Sequence, residues 1–593
     1  MRKALQAWLP LLFLCLATAV ASAQTYEGGG SFRVQCPTAT IRHPGTTATN
    51  GSGTVVNLTP DSAEASYTGP SVRTATTDPS GKYTYSPALT FTDNGGAIKC
   101  QQISGGDGYM TEADGNQTFM FAFGPLSGLN AIENGYTNNG LDGGTQFPVH
   151  FNNPYCDPAR PNYNNGQPNP YYGTSACKPG TDPNGAVGYV SPNVTDASAI
   201  MNTGVMNGSI PGPLMVFDED DEFFLTLTNV GMIMRPDLFE QHTVHFHGYP
   251  NASSFYDGVP DASIAINIGG SFTYYYLAPD AGTYFWHCHI TPPEHLQMGM
   301  VGWLYVRPRQ NRLPDATDPY IASTSYEEKD LRTACRDTGA AYVAGTVPPD
   351  ILCSAPQPAA DVGFIHHTGY KYAYNDGDGS TRYDIDVPLQ IHGFDPNFHF
   401  VGMTFNPEGF SDMKDKYFLL NGRSYPDTVG VAGGPADVMG QLANTSNPEP
   451  TAHAITTAGS DTMSRPSQPA PALITLSASK GPVGTCGMAT TCGQRALLRI
   501  NDLDVQEYQT LSSIGIPMQL IGFNAKLLRD QAGNNLYITT NSITLGGGES
   551  LDVIIDSTGV PPGTYFLYTP QLDHLSNDAE NFGGLMTEVV VTP

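Results

Sequence analysis

A short strand signature occurs twice in this 593-residue chain and constrains its fold more than any other feature. Gly282-Thr-Tyr-Phe285 returns as Gly563-Thr-Tyr-Phe566. Upstream, Thr243-Val-His-Phe-His-Gly248 aligns with Pro517-Met-Gln-Leu-Ile-Gly522, and the glycine-to-glycine interval is 34 residues in the first copy and 41 in the second. Two matched segments in the same order predict two domains of one architecture. The runs Thr118–Phe123, Glu222–Thr228 and Ser271–Leu277 are β-branched and aromatic, bounded by Gly, Pro, Asn or Asp, as strands are. With 65 glycines and 48 prolines, about a fifth of the chain, and only 14% charged residues, strands joined by turns are favoured over helices. The expected fold class is all-β. Two β-domains, 106–310 and 376–593, would follow a small Gly/Thr-rich β extension over 24–105 and be joined by a linker over 311–375. Residues 130–200 read as a long Asn/Gly/Pro/Tyr-rich loop.

The first 23 residues read as an export signal. Arg2 and Lys3 precede a short apolar stretch from Trp8 to Val20, and Ala21-Ser22-Ala23 supplies the cleavage site. That stretch is too short for a spanning helix, which needs ~20 apolar residues, and no later one qualifies. Periplasmic or extracellular residence is expected. Of ten cysteines, Cys15 leaves with the signal. Near neighbours suggest the disulfides 36–100, 156–177, 335–353 and 486–492, although spacing alone leaves the connectivity open. Cys288 is left over. A formal charge of −28 argues against nucleic acid as a partner, because phosphate binding needs a basic face.

Six of the fourteen histidines fall between positions 242 and 295: His242, His245, His247, His287, His289 and His295. Residues two apart on a strand share a face. His245 and His247 therefore point one way, His287 and His289 likewise, and Cys288 points to the opposite side. This alternation separates two potential metal sites. Cys288 with His242, His295 and Met300 offers a thiolate, two imidazoles and a thioether, which suits copper better than zinc because zinc makes little use of methionine. His245, His247, His287 and His289 form the second set, costly to bury unless something coordinates them.

The pattern His242-x-x-His245-x-His247-Gly, with His287-Cys288-His289 and a following His-x4-Met, resembles the copper motifs of multicopper oxidases. Asp257-Gly-Val-Pro260, Ile210-Pro-Gly-Pro213 and Leu420–Thr428 also match that family, and the resemblance covers about 114–306 and 384–591. It implies cupredoxin-like Greek-key β-sandwich domains and copper as cofactor. By position it implies His242, Cys288, His295 and Met300 as type 1 copper ligands, His245 at type 2 copper, and His247, His287 and His289 at the type 3 pair. Cys288, His287 and His289 would carry electrons between the sites.

Three departures stand out. The Cys288–His295 interval is two residues longer than usual, with Pro292-Pro293 inside it, so Met298 competes with Met300 as axial ligand. The type 1 motif lies in the first domain, whereas three-domain laccases carry it in the last. Third, the family's trinuclear cluster takes four histidines from each of two domains, but the alignment puts Gln519, Ile521 and Tyr568-Thr569-Pro570 where the second four would be. His366, His367, His392, His399 and His574 form no such paired motif and read as structural. The resemblance implies one-electron oxidation of a reduced donor, a phenol or a metal ion, with O2 as acceptor if a homo-oligomer or a partner subunit completes the cluster. A blue-copper electron carrier and an assembly protein on a degenerate oxidase scaffold are the alternatives.

Overall fold

In the computed structural model, the residues described are mainly 98–126, 205–312, 356–404, 410–429, 472–481 and 492–593, with short gaps, plus four short strands before position 90. Those four form two separate hairpins, β1 (Thr46–Thr49) with β2 (Val55–Thr59) and β3 (Thr74–Thr77) with β4 (Tyr83–Ser86). The export signal and the loop over 130–200 lie outside the described residues, as does at least one cysteine of each expected disulfide pair.

The first sandwich has two four-stranded sheets. One contains β5 (Ile98–Thr111), β6 (Gln117–Pro125), β8 (Glu222–Gly231) and β10 (Ser271–Leu277), in the order β10-β8-β5-β6. The other contains β7 (Met215–Asp218), β9 (His245–His247), β11 (Gly282–His287) and β12 (Val301–Arg307), in the order β7-β12-β11-β9. A short helix, α1 (Pro292–Gln297), lies between β11 and β12. Strand β5 runs across position 105, so the first sheet begins inside the stretch that composition alone grouped with the extension. Alternation fills the space between the sheets: Phe223, Leu225 and Leu227 from β8 meet Phe246, Trp286 and Leu304 in one buried cluster.

The second sandwich repeats this plan. After the short pair β13 (Lys371–Tyr372) and β14 (Arg382–Tyr383) come β15 (Ile385–Phe394), helix α2 (Pro396–Thr404), β16 (Tyr417–Leu420), β17 (Ile474–Ser477), β18 (Arg495–Asp502), β19 (Gln509–Ile514) and β20 (Met518–Phe523). Then follow β21 (Lys526–Leu527), β22 (Ile538–Thr540), β23 (Ser542–Leu545), β24 (Glu549–Asp556), β25 (Gly563–Tyr568) and β26 (Met586–Thr592). The run β24-β18-β15-β16 mirrors β10-β8-β5-β6, with β15 parallel to β18 as β5 is to β8. The run β17-β26-β25-β19 mirrors β7-β12-β11-β9, again with one parallel pair, β17 with β26. The class is all-β.

This topology corrects the alignment of the two copies. In the first half the strand beside Gly282–Phe285 is β9, but the strand beside Gly563–Phe566 is β19. Segment 517–522 belongs to β20, an added strand on the far side of β24. Position by position, Ser512, Ile514 and Tyr568 stand where His245, His247 and His287 stand in the first half. Apolar alternation ending in glycine, which many strands show, produced the mismatch. The absence of histidine from those positions survives it.

The halves meet across β11. Thr283 Oγ1 donates to Asp552 Oδ1 at 2.6 Å, and Ser550 Oγ donates to the Thr283 carbonyl at 2.8 Å. Behind them Arg499, fully buried, lies 2.7 Å from Asp386 and 4.3 Å from the Tyr305 ring centre.

Candidate metal centre

Strands β9 and β11 pair so that His245 faces His287, Phe246 faces Trp286 and His247 faces Phe285. Phe246 turns into the core, its ring 4.0 Å from that of Tyr276, which fixes the strand's orientation. The flanking histidines must then point outward, toward the second sandwich. There His245, His247 and His287 converge, one ring nitrogen of each lying within 4.8 Å of the others. Two tautomers are set by backbone carbonyls: His245 Nδ1–H donates to Asp257 at 2.7 Å and His287 Nδ1–H donates to Cys288 at 2.8 Å. Each of these rings keeps its Nε2 lone pair for a ligand. Burial lowers the basicity of all three, and His287, with the other imidazoles adding to burial, falls to about 3. They are therefore neutral donors at neutral pH. His289 stands beside the trio, its ring 5.1 Å from His245 and 5.7 Å from His287. Its amide donates to Thr243 Oγ1 at 2.9 Å.

On the core side of the same strands Cys288 is buried and free of any disulfide. His242, on the matching face two positions before Val244, and His295 bring one ring nitrogen each within 4.8 Å of its sulfur and of each other. His295 Nδ1 lies 3.3 Å from Sγ, and the Thr243 amide points at Sγ from 3.5 Å. The long Cys288–His295 interval is taken up by α1, with Pro at its first positions where no amide is needed. The turn after it closes the loop on both donors: Met300 N–H donates to the His295 carbonyl at 2.8 Å, and Cys288 N–H donates to the Met300 carbonyl at 3.1 Å. The Met298 carbonyl instead takes the Phe121 amide on β6 at 2.9 Å. Met300 is thus the methionine tied by its backbone to both donors.

Electrostatics sharpen this site. Burial would raise the Cys288 thiol, but the adjoining imidazoles of His295 and His242 outweigh it and hold the thiol well below its ordinary value. Burial likewise opposes charge on His295, yet the Cys288 sulfur and then Glu240 lift it to about 10. Both ring nitrogens of His242 are buried without a hydrogen-bond partner. An orphaned imidazole beside an incipient thiolate is an expensive arrangement for an empty core and a suitable one for a soft metal ion. The donors could hold copper: two imidazoles and a thiolate within reach, with a thioether following.

Residues 190–311 match the family model described as multicopper oxidase. That segment, about a fifth of the chain, carries both donor sets and is similar to multicopper oxidases. Copper is the cofactor of that family, in agreement with the donor set. Laccase-1 of Emericella nidulans is 37% identical over 142 residues, 23% of this chain and 20% of that protein. The multicopper oxidase MCE of Talaromyces pinophilus is 36% identical over 108 residues, 18% of this chain and 16% of its own. The matches therefore span about a fifth of each relative's length. Among solved structures, the multicopper oxidase mgLAC aligns over 83% of this chain and 85% of its own at 15% identity, with a TM-score of 0.41.

Sequence reasoning missed three features of this candidate centre. Glu240 Oε2 lies 3.4 Å from His295 Nε2 and reaches the surface; its place two residues before His242, on the same face, was the available signal. Thr243 serves both donor sets through its amide and hydroxyl. The wall opposite the outward histidines is built by the second half of the same chain, including Asp504, Glu507 and Glu549. Of the other described histidines, the His399 ring nitrogens lie 2.6 Å from the Phe119 carbonyl and 2.9 Å from the Gln297 carbonyl, and His574 stacks on Phe418 at 3.8 Å.

Proposed function

We propose that this protein is an exported copper-dependent oxidoreductase that takes single electrons from a reduced donor at the Cys288 centre. The observation that carries the reading is the convergence of Cys288, His242 and His295 in a dry core with the His245, His247 and His287 set on the reverse of the same strands. Copper bound by His242, Cys288, His295 and Met300 would supply a one-electron acceptor that changes oxidation state with little movement of its ligands. His295 carries that centre toward solvent, since its Nε2 faces Glu240. Cys288 is covalently flanked by His287 and His289, and its carbonyl accepts a hydrogen bond from His287, so the peptide itself links the two sets. His245 would serve type 2 copper, and His247, His287 and His289 the type 3 pair. Donors are phenols or metal ions, and the acceptor is O2 where another subunit, a second copy or a partner, adds the missing histidines.

Export rests on the basic, apolar and small-residue order of positions 1–23, with the four disulfides as its companions. Among the described residues no helix is long and apolar enough to cross a membrane. A second reading, a blue-copper electron carrier, is favoured by one observation: among the described residues, the second-half wall facing His247 and His287 contributes carboxylates and no histidine. Oxygen uptake by the copper-reconstituted protein, with ferrous ion or a phenol as donor, separates the two. Uptake abolished by Cys288→Ser supports the oxidase. A protein that keeps its blue colour and consumes no oxygen overturns it in favour of the carrier.

A further inference from the structure

Two of the outward histidines, His247 and His287, line a cavity of about 680 Å³ between the two halves, with Asp504, Glu507 and Glu549 among its other lining residues. Among the described residues, no lysine or arginine lines it. Three consecutive glycines keep it open. A Cβ on Gly547 would strike the Asp504 carbonyl oxygen at 2.0 Å, and one on Gly548, where φ is +91°, would enter the space beside His247 Cε1 at 3.6 Å and Phe285 Cζ at 3.9 Å. His287 is only 6% exposed, lines this space, and has no hydrogen-bond partner at Nε2. It is a buried polar group aimed at an occupant.

The walls indicate which occupant. The volume falls within the range of small organic ligand sites, roughly 300–1,000 Å³, and far exceeds what a single ion needs. Glu507 uses Oε2 toward His574 at 3.0 Å, and Glu549 uses Oε2 for the Gly546 amide at 2.8 Å, which leaves the second oxygen of each for a guest. Tyr508, with Pro292 and Pro293, adds flat apolar surface. Carboxylates without a cationic neighbour repel anions and attract an ammonium group, while an aromatic rim receives a ring. We propose that this cavity binds a small aromatic cation, its ammonium group toward Glu507 and Glu549 and its ring toward Tyr508 and the Pro292-Pro293 step. Such a guest stands before His247 and His287 and covers the histidine face. The proposal shares His247 and His287 with the oxidase reading and stands apart from it because the cavity exists without metal.

Calorimetric titration of the full chain with phenethylammonium and with phenylacetate, matched in size and opposite in charge, tests it in copper-free and copper-loaded protein. The expected result is binding of the cation at least about tenfold tighter than the anion in both states. Tyr508→Ala and Glu507→Gln should each weaken the cation several-fold, and Glu549→Gln provides the same reading if loss of the His574 contact unfolds Glu507→Gln. Equal affinity for the two probes overturns the proposal. So does cation binding that none of the folded variants weakens, since the probe then lies elsewhere. Copper content of the same samples reports separately on the oxidase reading.

Discussion

Asp415 offers a prediction whose size follows from the structure. It precedes β16, is buried, and accepts a hydrogen bond at Oδ1 from Gln297 Nε2 at 3.0 Å. Its Oδ2 and that of Asp504 crowd the same spot: a Cβ on Gly393 would lie 2.6 Å from each. Burial first, and then the Asp504 charge, push the Asp415 carboxyl from 3.8 up to about 9. In the unfolded chain it is an ordinary carboxylate. Between about pH 5 and about pH 8 the folded protein therefore retains a proton that the unfolded chain has released. This contribution to stability is complete below the unfolded pKa and is lost as pH rises toward the folded one. One proton difference gives a slope of about 1.4 kcal/mol per pH unit, so ~4 kcal/mol is the ceiling over that range. Asp415→Asn keeps the Gln297 contact and cannot ionise. Urea denaturation at the two pH values should show the variant gaining about 2–4 kcal/mol on the wild type as pH rises. Asp502, raised chiefly by burial and only in small part by Asp415, adds nearly the same slope to both proteins. Parallel pH profiles would refute the reasoning.

Two further substitutions probe the scaffold of the centre. Phe246→Ala empties the position between the Tyr276 and Trp286 rings and should cost about 3–5 kcal/mol in chemical denaturation, a large-to-small core change. Thr243→Val is close in shape but removes the acceptor of the His289 amide. We expect a loss of about 1–3 kcal/mol, with copper retained by the Cys288 donors and weakened at the outer set, as read by urea melts and metal analysis.

Alternation made much of the centre legible in sequence. Because successive strand residues face opposite ways, the order His-Cys-His alone separates Cys288 from His287 and His289, and the folded register of β9 on β11 agrees. Distant partners were not legible. Glu240 reaches His295 across 55 residues, and Asp504 and Glu507 line the same cavity as His247 from the connection between β18 and β19, a juxtaposition that short-range pattern cannot specify. The misaligned repeat has the same origin. Segment 517–522 carries the alternation of β9, but sheet order rather than local pattern decides which strand lies beside β25, and that strand is β19. The Pro292-Pro293 insertion, an anomaly of spacing in one dimension, becomes a helix that returns His295 to the sulfur.

Metal analysis of protein isolated from a copper-replete host, read together with its visible absorption spectrum, tests the central claim most directly. The account predicts bound copper and an intense thiolate-to-copper band, with the band abolished by Cys288→Ser. Protein that carries no copper, or a band that persists in the serine variant, would contradict it.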